Sequence, residues 1–194
     1  SGTPDGSEVL VVLPVESAIF DSVGNVASTT QTNNTVNLKD KTAPTVSSFK
    51  LESNNSTIEA SFSEAVFSKS DGSGALEATD FVLTLQGGEA TLSSATPSAI
   101  SASGNIYTLG IGLSGTPDGI EVLTVTLVDS AIYDAAGNIS SVTQNNNSTT
   151  LFDQKAPTIT SDSPSSDNSS IIVIFSEAVF SKSDGSGALD TADF

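Results

Sequence analysis

Histidine, cysteine, arginine, methionine and tryptophan are all missing from the 194 residues. Without histidine there is no Ser-His-Asp or Cys-His relay and no imidazole metal ligand. Without cysteine there is no disulfide, thiolate zinc site, iron–sulfur cluster or nucleophilic thiol. Positive charge is scarce as well: six lysines face 23 acidic residues, a formal net charge of −17. Phosphate backbones and anionic lipid heads repel such a polyanion, which argues against nucleic-acid and membrane-surface partners. No apolar run approaches the roughly 18 residues of a membrane span, and no signal-peptide pattern is present. The hydrophobic share of 37% suits packed β domains. Ser, Thr, Asn and Gly dominate the remainder, unlike the Glu- and Lys-rich composition of many disordered chains.

What is present is a repeat. Ser1–Gly6 reads SGTPDG, and so does Ser114–Gly119, an offset of 113. That offset aligns residues 1–81 with 114–194 without a gap, and 49 of the 81 positions are identical. The longest shared block, FSEAVFSKSDGSGAL, stands at 62–76 and 175–189. Solenoid units are usually about 20–50 residues long, so this period indicates tandem whole domains. Asp40–Pro44 and Asp153–Pro157 each follow an Asn-rich stretch, and their prolines suit a linker or the start of an edge strand. The expected organisation is the C-terminal part of one copy at 1–39, a complete copy at 40–152 and the N-terminal part of another at 153–194. The partial copies reflect either a section of a longer array or pieces that complement one another between molecules.

Within the complete copy the periodicity is that of strands. Ile58, Ala60 and Phe62 alternate with Glu59 and Ser61, and Leu123, Val125 and Leu127 alternate with Thr124 and Thr126. Seven strands are expected near 44–52, 57–64, 81–87, 90–99, 105–113, 120–128 and 139–144. Short alternating strands joined by Gly-, Asn- and Asp-rich turns predict an all-β Greek-key sandwich, with a closed barrel as the alternative.

Four motifs stand in a fixed order, DKTAPTV, SEAV, ATDF and YDAAGN, and SEAV recurs unchanged while the others recur as DQKAPTI, TADF and FDSVGN. This order resembles the bacterial immunoglobulin-like tandem repeat of large surface adhesins and secreted repeat proteins. The matching residues are Asp40–Pro44, Phe62–Glu64, Asp80–Phe81 and Asp134–Asn138, and again Asp153–Pro157, Phe175–Glu177, Asp193–Phe194 and Asp21–Asn25. The resemblance implies tandem immunoglobulin-like Greek-key sandwiches in an elongated array. It further implies an extracellular module, cell-surface or secreted, that is stiffened by calcium and is not catalytic.

Strand directions give the calcium expectation a separate footing. If the first strand runs away from the linker and the second returns, Glu64 ends near Asp40 and Asp80 starts the next strand at the same pole. Further alternation brings Asp129 and Asp134 there as well. Converging carboxylates repel unless a cation joins them. Calcium accepts about 6–8 oxygen ligands, backbone carbonyls included. At the other pole Asp118 of SGTPDG is expected to approach Asp153, Glu177 and Asp193 of the following copy. The competing readings are local. Asp71 in DGSG suits a turn, since an EF-hand loop needs alternating acids and a distal Glu. Asp134–Asn138 suits an Asx turn equally well, and SGTPDG is a good hairpin turn by itself.

Three functions follow as expectations. The first is a structural stalk or fibre module whose partners are neighbouring repeats. The second is a subunit that self-assembles by strand exchange between partial copies. The third is a glycan- or ligand-binding module carried on loops. A glycoside hydrolase needs an aromatic-lined cleft as well as paired carboxylates. With no Trp and two Tyr, that reading is set aside.

Overall fold

The computed structural model describes residues 2–194. The chain divides into two compact units, one reaching to Phe152 and one spanning Asp153–Phe194. Both are all-β with antiparallel sheets, and no α-helix occurs among the described residues. Among the described residues no helix is long and apolar enough to cross a membrane.

The first unit begins with a hairpin of β1 (Val9–Val11) and β2 (Thr35–Asn37), Leu10 lying opposite Val36. The strands of the complete copy follow: β3 (Val46–Leu51), β4 (Thr57–Phe62), β5 (Phe81–Gln86) and the two-residue β6 (Thr91–Leu92). Next come β7 (Ile100–Ser103), β8 (Ile106–Gly110), β9 (Leu113–Ser114), β10 (Val122–Leu127) and β11 (Ser148–Thr150). The second unit holds the hairpin of β12 (Ile159–Pro164) and β13 (Ile171–Phe175).

Two sheets carry the complete copy, in the orders β3-β4-β8-β7 and β11-β10-β5. Period-2 alternation decides which side chains turn inward. In β4, Ile58, Ala60 and Phe62 are buried while Thr57, Glu59 and Ser61 are half-buried. On the other sheet Leu123 pairs with Leu85, Val125 with Leu83 and Leu127 with Phe81. The inward residues of both sheets join one apolar core, an arrangement consistent with a β-sandwich. Each fully buried Phe, Leu or Val there contributes about 1.5–3 kcal/mol relative to exposure. Phe62 and Tyr107 meet edge to face at 5.6 Å, and the Tyr107 hydroxyl donates to the Val66 carbonyl at 3.3 Å.

Three expected strands differ from those observed, and the first of them, 105–113, divides into Ile106–Gly110 and Leu113–Ser114. The stretch 90–99 pairs as a strand only at Thr91–Leu92, and a separate strand starts at Ile100. Pro97 has no N–H to give, and the Ser94 hydroxyl takes the Thr96 N–H within a turn. The stretch 139–144 forms no strand; its pairing amounts to a single bridge between Ile139 and Tyr133. There the Ser141 hydroxyl accepts from Thr143 N at 3.2 Å and the Ser141 carbonyl from Gln144 Nε2 at 2.6 Å. These local bonds compete with a ladder, and the last strand forms later, at Ser148–Thr150.

Candidate metal centre

Three segments that are distant in the chain bring one carboxylate each to the same place. Asp40 comes from the linker before β3, Glu64 from just beyond β4 and Asp134 from the loop after β10. One carboxylate oxygen from each lies within 4.8 Å of the other two.

Local chemistry fixes each contributor. The Asp40 carboxylate accepts the Thr42 N–H at 2.8 Å, which turns the linker. The next residues also tie back to the preceding copy, where the Pro4 carbonyl accepts from Lys41 N at 2.8 Å and from the Thr42 hydroxyl at 3.0 Å. Glu64 follows the end of the β3–β4 hairpin, which closes with Ser63 N donating to Thr45 O at 2.8 Å. Asp134 is fully buried and heads an Asx turn. Its carboxylate accepts from Ala136 N, Asn138 N and Asn138 Nδ2 at 2.7–2.8 Å. Gly137 in that turn has φ +85°, and a Cβ there would run into the Ser70 carbonyl. Asn138 Nδ2 also reaches the Thr42 carbonyl at 3.4 Å, joining this loop to the linker. Reciprocal bonds between Phe67 and Tyr133 hold the 65–68 segment beside it.

The electrostatics of this group are unfavourable on their own. Burial pushes the Glu64 carboxyl above the usual carboxylate range, and the charges of Asp134 and Asp40 push it further the same way. Three hard oxygen donors that repel one another suit a hard divalent cation such as calcium. The residues that would hold it are Asp40, Glu64 and Asp134.

The other acidic candidates stand elsewhere. Asp80 ends a 3₁₀ turn at Ala78–Asp80, its carboxylate accepting from Glu77 N at 2.8 Å, outside the three-carboxylate group. Asp129 is exposed and also outside it. Asp71 sits in a local turn, accepting from Ser73 N at 3.0 Å. Asp118 belongs to the first unit and accepts the Ile120 N–H at 3.1 Å. Asp153, Glu177 and Asp193 belong to the second unit and are exposed. Asp153 accepts from Lys155 N, and Asp193 from Asp190 N in the 3₁₀ turn Thr191–Asp193. Among the described residues no second group of three brings these together.

One buried acid was not singled out from the sequence. Glu121 is fully buried, and its carboxylate accepts from Ala90 N at 2.9 Å, Glu89 N at 3.1 Å and Asp118 N at 3.1 Å. Burial opposes its ionisation, but the backbone donors outweigh burial and hold the group below the usual carboxylate range. Gly88, at φ +60°, leaves the space this side chain fills. The signal was available: Glu121 shares the parity of Leu123, Val125 and Leu127, so alternation points it inward. Its role is to clamp the SGTPDG turn to the 87–90 loop. No protein-family model, curated protein or solved structure matches this chain.

Proposed function

We propose that this chain is a non-catalytic structural section of an extracellular bacterial repeat protein, an adhesin stalk or surface fibre. In this reading its repeats are immunoglobulin-like Greek-key sandwiches, and calcium held by Asp40, Glu64 and Asp134 stiffens the complete one. The observation that carries it is the meeting of three carboxylates within 4.8 Å, one of them from the linker that joins successive copies. A cation there ties the linker to the end of β4 and to the loop after β10. The same linker is hydrogen-bonded to Pro4 of the preceding SGTPDG turn, so the ion acts where one copy meets the next. Repetition of a whole domain, with 49 of 81 aligned positions identical, supports a role that depends on length and stiffness.

Calorimetric melting in calcium and in chelator tests the reading. Calcium raises the melting temperature of the native chain, and Asp134→Asn removes most of that increment while the chain still folds. Identical melting in calcium and chelator would refute the cation role.

A further inference from the structure

We propose that β7 is the edge at which two copies of this chain pair side by side, antiparallel and about a two-fold axis. The strand Ile100–Ser103 lies within the complete copy and ends the order β3-β4-β8-β7, so β8 flanks it on one side only. Ala99 O accepts from Gly110 N at 2.9 Å, and the register continues with Ser101 opposite Thr108. By alternation Ile100 and Ala102 turn their N–H and C=O groups away from β8. Such a row is a ready template for another strand. Ala75, Leu76, Ile100, Ala102 and Tyr107 line an apolar groove along it.

The other edges of the two sheets are each closed by a device of their own. β3 is bulged between Val46 and Ser48 and carries Lys50, and Asn146 Nδ2 donates to its Val46 and Ser47 carbonyls at 3.3 and 3.2 Å. β5 gives its Leu83 N–H to Ala95 O at 2.7 Å, which seats the following loop against it. β11 is three residues long. Bulges, lysines, covering segments and brevity are the means by which sheet edges are kept from pairing. β7 is uncharged, and its pairing with β8 extends back through Ala99 and Ser98. Among the described residues no other backbone segment bonds its outer side.

Charge identifies the occupant. At a net charge of −17, copies of this chain repel one another over most of their surface. Residues 90–117, which hold β6, β7, β8 and β9, contain no charged side chain at all. Two copies that meet along β7 set no carboxylate of that stretch against another, and a basic partner finds none there to attract it. The pairing places Ser101 opposite Ser101 of the second copy on the axis, with Ile100 opposite Ala102 in the two flanking pairs. The outward backbone groups then match, and a large side chain meets a small one beside each groove. Two four-stranded sheets become one of eight. Each copy uses its one open edge, so the assembly closes at two. None of this depends on a cation.

Sedimentation velocity of the whole chain over a range of concentrations tests the proposal, together with a cross-link. The expected mass rises with concentration toward twice that of the monomer and no further. Association strengthens between about 0.1 M and about 1 M salt, over which the screening length falls from about 10 to about 3 Å. The chain has no cysteine, so Ser101→Cys introduces a single thiol. Its Cβ then lies about 4.5–5.5 Å from its counterpart across the axis, close to disulfide reach. Under a mild oxidant this variant forms covalent dimers about tenfold or more faster than Ser48→Cys, whose exposed thiol stands on the blocked edge β3. Adding Ala102→Pro, which removes an outward N–H, or Ala102→Glu, which sets a carboxylate in the contact, abolishes that advantage. A monomer at every concentration and salt, species larger than two, or association that weakens as salt rises overturns the proposal. So do equal cross-linking rates for the two thiols, or an advantage that survives both Ala102 variants.

Discussion

Leu123 in β10 and Leu10 in β1 are the same residue of the repeat, 113 positions apart; the first is fully buried and the second 49% exposed. Phe81 and Phe194 differ still more, at 0% and 74% exposure. Yet the local structures agree. β12 pairs with β13 in the register of β3 with β4, bulge included, and β1 with β2 in the register of β10 with β11. Asp21 heads the same turn as Asp134, accepting from Val23 N, Asn25 N and Asn25 Nδ2 at 2.8–2.9 Å. Hairpin register and turn chemistry are thus written into short stretches of sequence. Burial is not, because it depends on β8 and most of β5, which lie in residues 82–113, the stretch that occurs once. The same distinction holds for the acidic group. Asp21 and Glu177 repeat the sequence of the three-carboxylate group, but they stand exposed without the neighbours that crowd Asp134 and Glu64.

The sharpest way to break this comparison is to make the same change in both places. Phe81→Ala lowers the unfolding free energy of the complete copy by about 4 kcal/mol. Phe194→Ala changes it by less than about 0.5 kcal/mol. Urea unfolding of each variant reads both values, and equal effects would mean that the partial copy is packed as the complete one is. Glu121→Ala comes next, costing about 3 kcal/mol because three backbone N–H groups, that of buried Ala90 among them, lose their acceptor. Glu8→Ala, at the equivalent position, has a far smaller effect. Glu8 is exposed, and its carboxylate takes the Asp5 N–H.

Acid sharpens the same pair. The folded pKa of Glu121 is depressed, so its contribution is complete above the ordinary glutamate range and disappears as pH falls through the depressed value. Stability measured against pH therefore declines on the acid side, and Glu121→Gln flattens that decline. Glu64 has the opposite sign. Its folded pKa is raised, so without cation its contribution is complete below the ordinary range and lost as pH rises through the folded value. Glu64→Gln accordingly raises the chelator-treated melting temperature at neutral pH by about 2–4 °C. Glu177→Gln leaves it unchanged.

The sequence made some of this legible and hid the rest for identifiable reasons. Alternation placed Ile58, Ala60, Phe62, Leu123, Val125 and Leu127 on inward faces, because apolar period 2 reports burial directly. Strand-direction reasoning named Asp40, Glu64 and Asp134 among a larger acidic set. It could not separate them from Asp80 and Asp129, since an Asp that closes its own 3₁₀ turn and one that faces a neighbour look alike in one dimension. Glu121 escaped because charged residues are read as exposed by default, even though its parity along the strand pointed inward. The expected strand at 139–144 failed because the hydroxyl turn at Ser141 and Thr143 competes with pairing, and propensity does not register side-chain to backbone bonds of that kind.

The central claim is that a cation site exists where the linker, β4 and the Asp134 loop are all present, and not where only some of the matching acids occur. Isothermal titration of the whole chain with calcium tests this directly. The account predicts one tight site per chain, lost in Asp134→Asn and kept in Asp21→Asn. No binding heat, or a single site that survives Asp134→Asn and is lost in Asp21→Asn, would contradict it.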